Sequence, residues 1–143
     1  MKRTSIAVAL LLATTSTLAL AVARHGDWTG MVMGKGESKI HGNATMKAGK
    51  DANTTEVMVK LSGDAASMTR PWHVHMGSCA KAGGVFGGGK SYTALAGDAK
   101  GGSESKATLA VALPDTGSYY VNIHESATAM ANIVACGDLK HDK

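Results

Sequence analysis

The chain has 143 residues, enough for one domain with its own core and too short for two comfortable ones. Its formal charge is +4, and its lysines are scattered rather than clustered, which gives no basis for nucleic-acid or membrane-surface binding. Aromatic residues make up only 4% of the chain while glycine occurs 18 times, so the core must be built chiefly from Val, Ala, Leu and Met.

Residues 1–23 read as a secretory signal peptide. Met1-Lys2-Arg3 is a basic start, Ile6 to Leu12 is apolar, a softer apolar run continues to Ala21, and Ala21-Val22-Ala23 is a small-x-small cleavage pattern. Thr14, Thr15, Ser16 and Thr17 interrupt the run, which argues against a membrane anchor. No cysteine stands at the cleavage point to carry a lipid. The expected product is a single exported domain, residues 24–143, free of the membrane. Cleavage removes Lys2 and Arg3 and no acid, so two positive charges are lost from +4 and +2 remains.

Beyond the leader, long helical periodicity is absent. Short alternating runs are separated by glycine and polar punctuation, as in an all-β domain. Trp28 to Met33 is the first predicted strand, closed by Gly34-Lys35-Gly36, and Lys39 to Lys47 is the second. Thr54 to Leu61 is the third, with Val57, Val59 and Leu61 on one face. Arg70 to Met76 follows as one strand. From Gly77 to Lys90 the pattern stops in a long glycine-rich loop, a kind usually functional or unstructured. Gly89-Lys90-Ser91 imitates the end of a phosphate-binding loop, but the strand-to-helix setting is missing. Tyr92 to Leu95 is a short strand, and residues 97–102 make a turn. Ser105 to Leu113 is a strand with Ala107, Leu109, Val111 and Leu113 inward; Pro114-Asp115-Thr116-Gly117 turns the chain. Ser118 to Glu125 and Asn132 to Leu139 complete the set, before a polar tail of residues 140–143. Seven or eight strands with no required helix predict a closed or nearly closed antiparallel barrel or sandwich.

Two stretches carry chemistry. In Trp72-His73-Val74-His75-Met76, alternation puts His73 and His75 side by side on one strand face, with Trp72 and Val74 opposite. In Tyr119-Tyr120-Val121-Asn122-Ile123-His124, His124 falls on the polar side in the same way. Three imidazoles on outward strand faces can meet outside a barrel, and three nitrogen ligands with an open position suit copper and also zinc. The alternative is three unrelated solvated histidines. The two cysteines, Cys79 and Cys136, form an even pair in a chain expected to meet an oxidising compartment, and read as one disulfide, the alternative being two free thiols. A bridge closing that loop of more than fifty residues is worth about 4 kcal/mol on the chain-entropy estimate.

With these pieces in order, the chain resembles the copper/zinc superoxide dismutase family. The likeness lies in the strand ending Leu61-Ser62-Gly63, the His73-Val74-His75 pair, the turn and strand from Asp98 to Leu113, Val121-Asn122-Ile123-His124-Glu125, and Ala135-Cys136-Gly137. The resemblance implies an eight-stranded Greek-key β-barrel, copper on His73, His75 and His124, and Cys79–Cys136 as the internal disulfide. The departures are as specific. The family's loop after the paired histidines carries a copper–zinc bridging histidine and further zinc histidines, yet no histidine lies between Met76 and Gly97. Asp98 echoes the zinc aspartate, but one carboxylate does not hold zinc, so no zinc is expected. The arginine that guides superoxide in the family is replaced by Ile133, and Arg70 is the nearest other candidate.

Met76 follows the histidine pair and is a candidate further ligand, since thioethers favour Cu(I). Met31, Met33, Met68 and Met130 add thioethers, for most of which core filling is the better reading. His41 and His141 read as surface residues, and His25 stands beside the expected new N-terminus. The function expected is that of an exported (periplasmic or extracellular) copper-binding protein in copper handling or tolerance. The alternatives are a copper-only superoxide dismutase, with superoxide as partner, and a structural β-domain without metal.

Overall fold

A computed structural model describes residues 26–142; the signal-peptide reading and His25 lie outside the described residues. Among these residues the regular structure is β throughout, apart from one 3-10 turn at Gly89–Ser91. The strands are β1 (Trp28–Gly34), β2 (His41–Ala48), β3 (Thr55–Ser62), β4 (Thr69–Arg70), β5 (Trp72–Met76), β6 (Leu95–Ala96), β7 (Ser103–Leu109), β8 (Tyr119–His124) and β9 (Ile133–His141). Seven of them form one antiparallel sheet in the order β5-β8-β9-β1-β2-β3-β7, curled into a half-barrel, and β4 pairs with β6 in a separate ribbon. The ribbon stands between the edges: β4 runs into β5, and β6 packs against β7. The expected eight strands are thus seven in one sheet and two in a ribbon.

The alternation expected of the strands builds the core. Val32, Ala44, Met46, Val57, Val59, Leu61, Trp72, Val74, Ala107, Leu109, Val121, Ile123, Ala135 and Leu139 turn to the concave side and are buried. Trp28 closes one end, with its indole N–H donated to the Pro114 carbonyl at 2.8 Å. Burying apolar area of this kind, at roughly 25 cal/mol per Å², is the main source of stability.

Several boundaries differ from the expectation: the short strand expected at Tyr92 to Leu95 lies instead at Leu95–Ala96, and three further differences have a local reason. The strand expected from Arg70 to Met76 is split at Pro71, which has no N–H to give to a ladder; its carbonyl instead accepts the His124 backbone N–H at 2.9 Å. The strand expected to reach Leu113 stops at Leu109, because its partner β3 begins at Thr55, opposite Leu109, and beyond it nothing remains to pair with. The tail begins later than expected: Lys140 and His141 pair with Thr29 and Trp28, so β9 runs to His141. His141 is no simple surface residue, as its ring lies over Trp28 with centroids 4.8 Å apart and its Nδ1 is buried.

The glycine-rich segment after β5 is not structureless. It folds back along the open edge of β5 as a strap, with Met76 N–H donated to Gly84 O and Phe86 N–H to Val74 O around a bridge between His75 and Val85. The strap covers a row of backbone groups that an edge strand would leave unpaired. Cys79 bonds to Cys136 of β9, and the Cys79 N–H is donated to Asp138 Oδ1 at 2.7 Å.

Candidate metal centre

His73 and His75 project together from β5 because they are two apart on a strand whose other face carries the buried Trp72 and Val74. Asn122 of β8 lies directly across from His73, and Tyr120 from His75. His124 comes next on the same side of β8, where the register slips: Ile123 pairs with Ala135 but His124 with Ile133. Such a bulge re-aims the side chain that follows it, and here it brings His124 against His73. The ring centroids stand 5.2 Å apart for His73 and His124, 5.9 Å for His73 and His75, and 6.2 Å for His75 and His124. One ring nitrogen from each lies within 4.8 Å of the others, and this is the one group of three or more His, Cys, Asp or Glu side chains so gathered among the described residues.

The hydrogen bonds decide which nitrogens are available. His75 Nδ1–H is donated to the Gly83 carbonyl of the strap at 3.0 Å, leaving Nε2 with its lone pair. That Nε2 is buried and has no partner, which is costly unless something else fills the position. His124 Nδ1–H is donated to the Met130 carbonyl at 2.6 Å, so its Nε2 also carries a lone pair. His124 Nε2 faces His73 Nδ1 at 3.1 Å. Without a metal one proton sits between them, given by His73; moving it to His73 Nε2 frees a third lone pair. Backbone carbonyls on the far side of ligand imidazoles are the usual means of fixing ring and tautomer. Nitrogens about 2 Å from one ion stand no more than about 4 Å apart, so small ring rotations close the set. The donors present fit a transition-metal ion.

The surroundings favour the neutral form of His73 and His124, the form that binds metal. Burial, and then the neighbouring His124 and His75, hold His73 down to about 4. Burial also lowers His124, against the raising effect of its bond to Met130. Two aromatic walls fix the rings: Tyr120 stacks on His75 with centroids 5.2 Å apart, and Tyr92 meets His73 edge-on at 5.2 Å. The Tyr92 hydroxyl is donated to Phe86 O at 2.8 Å, and burial pushes its pKa up.

The polar side of β8 is not the solvated exterior that alternation suggests. Tyr120, Asn122 and His124 are all buried, and the strap reaches over this side at Tyr120, whose hydroxyl oxygen accepts the Gly83 N–H at 3.4 Å. Met76 falls on the other side of the β5 alternation from His75, half exposed, its methyl 3.6 Å from where a Cβ on Gly84 would stand. Arg70 is committed elsewhere. It makes two hydrogen bonds of 2.8 Å to the Asp64 carboxylate and one of 2.6 Å to the Glu125 carbonyl. Each partner perturbs the other, the hydrogen bond lowering Asp64 and raising Arg70. Asp98 closes a turn by accepting the Lys100 and Gly102 N–H groups at 2.7 and 2.9 Å.

Sequence reasoning missed the Gly83 and Met130 carbonyls and the two tyrosine walls. Carbonyls carry no residue signal, but the pattern of Tyr120 two and four residues before Asn122 and His124 did place that ring on the histidine side. The chain matches no family model and no curated protein sequence.

Proposed function

We propose that this is an exported copper-binding β-domain that holds one copper ion on His73 Nδ1, His75 Nε2 and His124 Nε2 and serves copper handling or tolerance. The observation that carries this reading is the convergence of three imidazoles, two with a backbone carbonyl fixing the far nitrogen and one with a buried, unpartnered lone pair. The three-nitrogen set suits copper and also zinc; copper is preferred here because the resemblance lies in the copper-binding histidines, while the segment between Met76 and Gly97 carries no histidine for zinc. The strand order supports a divergent superoxide dismutase-like Greek key: with the β4–β6 ribbon set between β5 and β7, the sheet comes close to a ring. The disulfide agrees with export, and among the described residues no helix is long and apolar enough to cross a membrane.

Bound copper would supply one-electron exchange between Cu(I) and Cu(II). The protein's own share is to hold three neutral nitrogens, exclude water with Tyr92, Tyr120 and the strap, and accept a proton at His73 Nε2 when Nδ1 turns to the ion. A second reading, a copper-only superoxide dismutase, is favoured by the partial exposure of His73 and His75, which leaves one side of the ion open to a small molecule. Against it stand Ile133 beside His124 and the engagement of Arg70 with Asp64.

Metal analysis and copper spectroscopy on the purified protein test the proposal. One copper per chain, nitrogen-coordinated, with superoxide consumption no faster than in buffer, is the expected result. Rapid consumption lost in His124→Ala moves the conclusion to the dismutase. No bound metal, and melting unchanged by added copper, overturns both, because a ligand that binds only the folded state must stabilise it.

A further inference from the structure

The methionines do not all fill the core. Met46 is fully buried, but Met31 is 72% exposed and Met33 52%. Both stand on the outer face of β1, two residues apart, with the buried Val32 between them pointing inward. On an outer sheet face with solvent over it, a pair of large apolar side chains gains nothing from burial. What they offer together is two flexible, soft sulfur donors about 7 Å apart along the strand.

The third donor comes from the next strand. His41 lies directly across from Met33 in the β1–β2 ladder and is exposed; residues so paired share a face with Cβ atoms about 5 Å apart. His41 Nδ1–H is donated to the Lys39 carbonyl at 3.0 Å, which leaves Nε2 with its lone pair. Asn43, across from Met31, adds no charge; Asp138 and Lys140 of β9 line the same shallow depression, and Asp138 Oδ1 accepts the Cys79 N–H at 2.7 Å. Soft thioethers with one imidazole suit Cu(I) and other soft monovalent ions in preference to Zn(II) or Cu(II), and the nearby Asp138 carboxylate is already engaged by a backbone N–H.

The position of this group on the sheet is as informative as its composition. Ladder pairs run His41–Met33, Met33–Cys136, Cys136–Asn122 and Asn122–His73, one lateral row across β2, β1, β9, β8 and β5. All five residues therefore share one face of one sheet. Three steps of about 4.8 Å place Met33 about 15 Å from His73 along that row. The disulfide at Cys136 lies between them.

We infer that Met31, Met33 and His41 form a second, outer-face binding site for Cu(I), separate from the three-histidine centre and in line with it across the sheet. The binding chemistry needs only the thioether pair and the imidazole; the expectation that copper is the ion met in nature rests on the function proposed above. Ag(I), a redox-silent soft ion, is the probe. Titrated into protein with labelled methionine methyl groups, Ag(I) should shift the Met31 and Met33 resonances. Met31→Leu/Met33→Leu, which keeps the apolar bulk, should bind one equivalent of Cu(I) fewer than the wild type in anaerobic chelator competition while retaining Cu(II) at the histidines. Shifts confined to Met76 and Met130, or an unchanged Cu(I) stoichiometry in the double variant, overturn the inference. A His73→Ala/His75→Ala/His124→Ala variant that binds no less copper than the wild type, with Met31 and Met33 still shifted by Ag(I), would remove the three-histidine reading and leave this site standing.

Discussion

The outer face of the sheet has two halves that differ in one respect. Both present residues in the same alternation, His73 and His75 on β5 and Met31 and Met33 on β1. One half lies under a strap: burial lowers His73 and His124, carbonyls fix the far nitrogens of His75 and His124, and one nitrogen from each of the three rings is gathered with the others. The other half is bare, and its methionines stay 72% and 52% exposed. Alternation supplies donors on both halves; the cover turns one set into a prearranged centre and leaves the other adaptable. Hard-won geometry on one side and loose, soft donors on the other are what two different oxidation states of one metal would select.

The largest effect should come from removing a donor on the covered half. Loss of an outer-shell partner costs about 10–100-fold in affinity, so His124→Ala, which removes a ligand, should weaken copper binding by more than about 100-fold. Competition titration reads it; near-wild-type binding would show that the three rings do not act together.

Uncovering the covered half comes next. Cys79→Ser with Cys136→Ser opens a loop of separation 57 and should cost about 4 kcal/mol, read as a lower denaturant midpoint. Copper affinity should fall by about tenfold as the Gly83 carbonyl loses its hold on His75.

A smaller and graded effect is set by pH. His73 has an ordinary value of 6.5 and is held at about 4 in the fold, so between those values the unfolded chain binds a proton that the folded chain does not. The metal-free protein should keep its full stability above about 6.5 and lose part of it as pH falls toward about 4. Melting temperatures across that window should slope less in His73→Asn; an equal slope would assign the effect to other groups. On the bare half, Met31→Ser or Met33→Ser should change unfolding free energy by no more than about 0.5 kcal/mol, since neither side chain is packed.

Period-two alternation made most of the fold legible. Val57, Val59 and Leu61 turn inward as their spacing requires, and the same rule brought His73 and His75 to one face. What alternation could not show is tertiary. The cover at Tyr120 comes from a segment whose own sequence shows no period. The bulge after Ile123 is a matter of register between two strands, which neither strand records alone. Pro71 did carry its signal, a missing donor in mid-strand, and marks the β4–β5 break. Composition pointed the methionines inward, and only their place on β1 shows Met31 and Met33 outside.

The strap is tied down by absence of side chains. A Cβ on Gly83 would overlap the Met76 carbonyl, and Gly87 sits at a φ of +70°, where an added Cβ would also press on the Leu109 side chain. Surface segments ordinarily drift freely between related sequences. This one should not: in a saturation scan scored for folding, Gly83 and Gly87 should rank with Trp72 and Val59 in intolerance, making a connecting segment read like interior.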